Sequence, residues 1–173
     1  MISESKTRFE LINPKLESAG WEILKPMDRI PELGNYAVSE LETENGPADY
    51  ALFIDGLIVG IVEAKKLSVG PQNVLVQAQR YARGIKDSPF DFNGLKVPFL
   101  YSTNGEIIWF QDVREKDSYS RKISKFHTPD ALKEMLLENK KIALEWLENN
   151  PNDHPKLRPY QIQATKAVEN ALR

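Results

Sequence analysis

Three charged residues in the middle of the chain could do chemistry together. Glu63 and Lys65 close the apolar run LIVGIVEAKK (57–66), and Asp49 lies in the preceding run ADYALFI (48–54). Residues two apart on a strand share a face, so the Glu63 carboxylate and the Lys65 ammonium project together. An isolated buried charge costs several kcal/mol, and the plain reading of Glu-x-Lys alone is a wet strand end. Asp49 changes that reading if it comes opposite Glu63. Two carboxylates offer hard oxygen ligands of the kind that suit Mg²⁺, with Mn²⁺ as a substitute, and Mg²⁺ keeps several waters. Such an ion eases deprotonation of water and neutralises a scissile phosphate. Lys65 would orient the attacking water or stabilise the pentacovalent phosphorane. The chemistry indicated is phosphodiester hydrolysis.

Whether the carboxylates meet depends on register. Asp55-Gly56 reads as a two-residue turn between the strands. In an uninterrupted ladder it would pair Ile54 with Leu57 and Asp49 with Val62, leaving Asp49 and Glu63 on opposite faces. A three-residue loop, or a bulge in either arm, brings Asp49 opposite Glu63. The metal-site reading therefore requires an odd loop or a bulge.

The elements that must hold these residues follow from periodicity. Apolar positions Leu11, Ile12, Leu16 and Ala19 predict a first helix over 3–19, with Pro14 kinking or splitting it and Gly20 stopping it. Strands are expected at 21–27, 34–42, 48–54 and 57–65; both parities are apolar in the last two, so both faces are covered. A helix follows Gly70-Pro71, with Val74, Leu75, Ala78 and Ile85 inward. Residues 97–113 read as strand, Asn104-Gly105 turn and strand, and REKDSYSRK (114–122) as a solvated connection. Thr128-Pro129 starts a helix running to about Asn149. The expected fold is α/β (α+β): a mixed central sheet flanked by helices.

Composition sets limits. Of 173 residues, 41% are apolar and 28% charged, which fits a globular domain with a real core. No apolar run approaches bilayer length, and the N-terminus lacks a signal-peptide layout, so a cytoplasmic location without membrane contact is expected. Cysteine is absent, which excludes thiolate chemistry, and the two histidines, His127 and His154, argue against a histidine metal site. The net charge is −2. A domain gripping DNA alone would be basic, so any grip on DNA must come mostly from elsewhere. Lys66, Arg80 and Arg83 near the acids are candidate phosphate contacts, with Arg80 and Arg83 reading first as a solvated helix face.

Pro47-Ala48-Asp49 followed by Glu63-Ala64-Lys65 resembles the PD-(D/E)xK nuclease signature. Gln77 and Tyr81, four apart on one helix face, are similar to the QxxxY element of recB-like nucleases and of type I restriction enzyme motor (R) subunits. SESKTR…LINPKLESAGW resembles the opening of those subunits. The resemblance covers most of residues 1–113 and implies a restriction-endonuclease-like fold. It further implies that Asp49, Glu63 and the Ala64 backbone carbonyl bind metal, that Lys65 assists the water, and that an acid from the first helix joins the site. Glu4 is the choice for that acid and Glu10 its competitor. Without the resemblance, Gln77 is an exposed glutamine and Tyr81 a half-buried tyrosine.

LRPYQIQA (157–164), behind the Pro/Asn-rich stretch 149–156, resembles the opening of a superfamily 2 helicase motor, in which Gln161 would bind the adenine of ATP. Pattern alone gives a plain amphipathic helix. No GxxxxGK[ST] phosphate loop occurs in the sequence. The expected organisation is a nuclease domain (1–148), a linker (149–156) and the start of a motor (157–173), the whole being an amino-terminal fragment. The implied partners are double-stranded DNA and the methyltransferase and specificity subunits of a restriction complex, with ATP serving the motor. The rival reading is a DNA-binding or assembly module with weak or no cleavage. A small-molecule enzyme is disfavoured because no nucleotide or sugar motif accompanies the acids.

Overall fold

The computed structural model describes residues 4–26, 28–65, 75–114, 118–138 and 156–172, without the side chains of 4, 5 and 169–172. Lys66, Val74, His154, the Gly70-Pro71 helix start, most of the expected linker and the helix beyond position 138 lie outside them. The chain divides into two compact units, Met1–Leu132 and Lys133–Arg173.

The first unit is built on one seven-stranded sheet in chain order: β1 (Glu22–Leu24), β2 (Asn35–Thr43), β3 (Gly46–Ile54), β4 (Leu57–Ala64), β5 (Phe99–Thr103), β6 (Ile108–Asp112) and β7 (Arg121–Ile123). The pairs β1–β2 and β4–β5 are parallel and the other neighbours antiparallel, so the sheet is mixed as expected. β3, β4 and β5 form its centre, and most of their residues are buried. A parallel pair needs a crossover. The β4-to-β5 connection carries α3 (Leu75–Arg83), which buries Leu75, Ala78 and Ala82 against Ala51, Ile61 and Leu100 of the sheet. β7 corrects the reading of 114–122 as an open connection. Its Arg121 and Lys122 pair with Phe110 and Trp109, and strand pairing overrides the polar composition of an edge.

The first helix is broken as Pro14 implies. α1 (Glu4–Thr7) runs into a wider π turn, Arg8–Ile12, and then α2 (Asn13–Ser18). Pro14 has no N–H to give Glu10, and the Asn13 N–H reaches back five residues to the Arg8 carbonyl. Gly20, at φ +93°, ends the segment. α4 (Pro129–Leu137) starts where Thr128 was expected to cap it, the Thr128 hydroxyl accepting the Ala131 N–H at 3.2 Å. Its described part stops well short of Asn149. In the second unit α5 (Pro159–Leu172) is a single helix. Among the described residues no helix is long and apolar enough to cross a membrane.

Candidate functional site

The β3–β4 hairpin decides the site. Asp55 and Gly56 both have positive φ, as a tight Asp-Gly turn requires, and Ile54 pairs with Leu57 and Phe53 with Ile58. The ladder then slips: Leu52 pairs with Gly60, and Tyr50 with Val62. Val59 is the extra residue of a bulge in β4. Continued by one step, the shifted register sets Asp49 opposite Glu63. This is the irregularity the register argument demands. Gly60 beside the bulge is held close to β5, where a Cβ would come within 3.0 Å of the Phe99 carbonyl oxygen.

Neighbouring pairings extend the row. Ser39–Tyr50 and Leu41–Ala48 bracket Glu40 opposite Asp49, and Glu63 pairs with Ser102 of β5. Glu40, Asp49, Glu63 and Ser102 therefore lie abreast on four adjacent strands. Glu40 sits in the left-handed region at φ +52°, unusual for a residue with a side chain.

Asp49 is held at both oxygens. Its Oδ2 accepts the Ala64 N–H at 2.8 Å, and its Oδ1 accepts from Arg8 Nη1 at 3.1 Å. Glu63 is 3% exposed. Its Oε1 accepts from Lys65 Nζ at 2.7 Å, while Oε2 is buried without a hydrogen-bonding partner. Among the described residues only the Asn35 Oδ1 shares that condition. Burial, and then the negative charge of Asp49, push the Glu63 carboxyl up to about 7, against the opposing pull of Lys65. Lys65 is fixed through its N–H to the Thr103 carbonyl at 2.8 Å.

Tyr81 is half-buried, and its phenol is raised first by burial and then by the charges of Glu63 and Asp49. Gln77 is exposed. Arg80 and Arg83 are also exposed and donate to the Asn45 and Asn93 carbonyls at 2.6 and 3.2 Å. The side chain of Glu4 lies outside the described residues. Glu10 is exposed and pairs with Lys6 at 3.6 Å, on the helix surface. Gln161 is exposed, and its Oε1 accepts the Arg158 N–H at 2.9 Å at the start of α5.

Two site residues were missed by sequence reasoning. Arg8 bridges Asp49 and Glu40, donating to the Glu40 Oε1 from Nη2 at 2.7 Å. Burial opposes its charge, but the Glu40 hydrogen bond and the Asp49 and Glu40 charges outweigh it and raise its pKa further. Glu40 was within reach of the register arithmetic, because pairing Thr43 with Gly46 across a tight turn sets Glu40 against Asp49. Arg8 carried no such signal, since helical spacing does not say which strand a long side chain will reach.

The donor set fits a hard divalent ion: two carboxylates abreast, one with a buried oxygen unsatisfied. Among the described residues no third His, Cys, Asp or Glu completes a metal-sized cluster. Water ligands would have to complete the shell, which is ordinary for Mg²⁺.

Residues 28–136 match the family described as the second domain of the type I restriction enzyme EcoKI endonuclease subunit. The chain belongs to the type I restriction enzyme endonuclease subunit family. Consistent with this, it is 30% identical to the type I restriction enzyme EcoKI endonuclease subunit of Escherichia coli (strain K12), over 99% of this chain and 19% of that protein. The chain thus spans about a fifth of that curated relative. A solved fragment assigned as an HsdR subunit of a type I restriction enzyme from Vibrio vulnificus YJ016 shares its fold, with a TM-score of 0.54 and 24% identity over 98% of this chain and 32% of that one. The family membership agrees with the resemblance read from the motifs.

Proposed function

We propose that this domain is the Mg²⁺-dependent DNA-cutting part of a type I restriction subunit. The observation that supports it most is the bulge at Val59, which sets Asp49 opposite a buried Glu63 whose second oxygen is unsatisfied. Asp49, Glu63 and the Ala64 carbonyl would hold the ion. When bound, the ion would supply an acidic water and neutralise phosphate charge. Lys65 lies on the Glu63 carboxylate, where its ammonium would orient the water or meet the charge that grows on phosphorus. Hydrolysis forms one bond from the water oxygen to phosphorus and breaks the bond to the leaving sugar oxygen, which takes a proton. Tyr81, whose phenol feels the charges of Glu63 and Asp49, is assigned an accessory role with Gln77. Glu4 keeps its assignment as the acid of the first helix.

Residues 157–173 are read as the opening of an ATP-driven motor, with Gln161 reaching for adenine. The net charge of −2 supports leaving most of the DNA grip to that motor and to methyltransferase and specificity subunits.

The test uses the complete subunit with its partners, DNA and ATP. Lys65→Ala and Asp49→Ala are each expected to reduce cleavage by about 100-fold or more, while DNA-stimulated ATP hydrolysis continues. Cleavage at the wild-type rate by either variant would overturn the assignment.

A further inference from the structure

Arg8 holds the atom of Asp49 that an ion would need. Asp49 Oδ2 is engaged by the Ala64 backbone, and Oδ1 faces the guanidinium. A divalent ion on Oδ1 and Arg8 on the same oxygen would be two cations at one acceptor, and like charges so close repel. We infer that Arg8 is a built-in competitor for the metal site, a guanidinium that must yield Asp49 before a divalent ion binds. The inference rests on the proposed metal site and adds a residue that sets its affinity.

The surroundings suit a group that lets go of one partner and keeps another. Arg8 has its shorter bond, 2.7 Å, to Glu40 and its longer, 3.1 Å, to Asp49. Glu40 is the more exposed of the two acids, with a side chain 51% exposed against 20% for Asp49. Released from Asp49, the guanidinium keeps its stronger anchor at the wetter position. Glu40 holds its place with a left-handed backbone, a conformation that persists where the surroundings over-determine it.

The turn that carries Arg8 is attached to β3 at both ends. Arg8 opens the π turn, and Asn13 closes it with its Oδ1 accepting the Tyr50 hydroxyl at 2.6 Å. The turn is thus pinned to adjacent residues of β3, Asp49 at one end and Tyr50 at the other. Losing the Asp49 contact frees one end and leaves the other attached. Linkage is reciprocal: what weakens ion binding through Arg8 must weaken the Arg8–Asp49 pair when the ion arrives.

The test is Mn²⁺ titration by calorimetry on the full-length protein without nucleotide or DNA, with thermal melts to verify folding. Asp49→Asn defines the site by abolishing the binding that belongs to it. Arg8→Met is expected to tighten the Asp49-dependent binding by about tenfold. Arg8→Gln keeps the polar stem without the charge and carries the same expectation should the Met variant not fold. Arg8→Lys, which keeps the charge, is expected to stay near wild type. If Asp49-dependent binding is present but unchanged or weaker in Arg8→Met and Arg8→Gln, the competitor role is overturned and the metal site stands. If neither wild type nor the Arg8 variants show Asp49-dependent binding, the metal site itself falls, and this inference with it.

Discussion

Two buried polar centres lie on neighbouring strands and end differently. At the end of β4, Glu63 is buried with one carboxylate oxygen unpartnered. On β5 and the turn beyond it, polar groups are matched. The Thr103 hydroxyl donates to the Ile107 carbonyl at 2.8 Å and accepts the Gly105 N–H at 3.0 Å. Asn104 Oδ1 accepts two backbone N–H groups. Deeper in the same strand, the buried Tyr101 hydroxyl meets His127 Nδ1 at 2.8 Å, and the His127 carbonyl accepts the Trp21 indole N–H at 3.0 Å. Burial and the nearby Arg121 hold the His127 imidazole below its ordinary pKa, toward the neutral form. Both centres are buried, but only one is satisfied. Satisfied polar groups specify a fold, whereas an unsatisfied carboxylate stores a demand for a proton or a cation.

That contrast can be broken most forcefully at Trp21. The indole is 2% exposed, and Trp21→Ala is expected to cost about 3–5 kcal/mol of unfolding free energy at any pH near neutral. Denaturant melts measure it. A loss under about 1 kcal/mol would mean that the β5 side is not the structural centre described.

Glu63→Gln should move stability the other way. The folded carboxyl titrates near 7 against an ordinary 4.5, so between those values the folded chain binds more proton than the unfolded chain. Stability then falls as pH rises from about 4.5 to 7 and levels off above. Without divalent ions, Glu63→Gln is expected to gain up to about 3 kcal/mol at pH 8 relative to its effect at pH 4.5. Equal effects of the substitution at both pH values would remove the stored demand.

The smallest effect belongs to Tyr101→Phe, which leaves the His127 ring nitrogen without its partner. A loss of about 1–2 kcal/mol is expected, with ion binding at Asp49 unchanged. If ion affinity also changed, the two centres would be coupled, and the division between them would need redrawing.

Much of this was legible in the chain. Apolar residues on both parities of β3 and β4 marked central strands, because only a strand covered on both faces needs them. Pro14 announced the break in the first helix, because it lacks a donor. β7 was not legible, since an edge strand with Arg121 and Lys122 has the composition of a loop and gains its order from β6. Arg8 and Glu40 were invisible as a pair because nothing local brings positions 32 apart together.

The sequence by itself determined which chemical groups exist and how far apart they stand along the chain: Asp49, Glu63 and Lys65 on strands joined by Asp55-Gly56. It also narrowed the register to two alternatives, one of them useless for a shared ion. Only the tertiary structure chose between these. The tight turn and the Val59 bulge occur together in a β4 that also pairs in parallel with β5, with Gly60 set close against Phe99. One extra residue in a ladder of period two changes which face every later side chain occupies, and no local propensity records where a ladder slips.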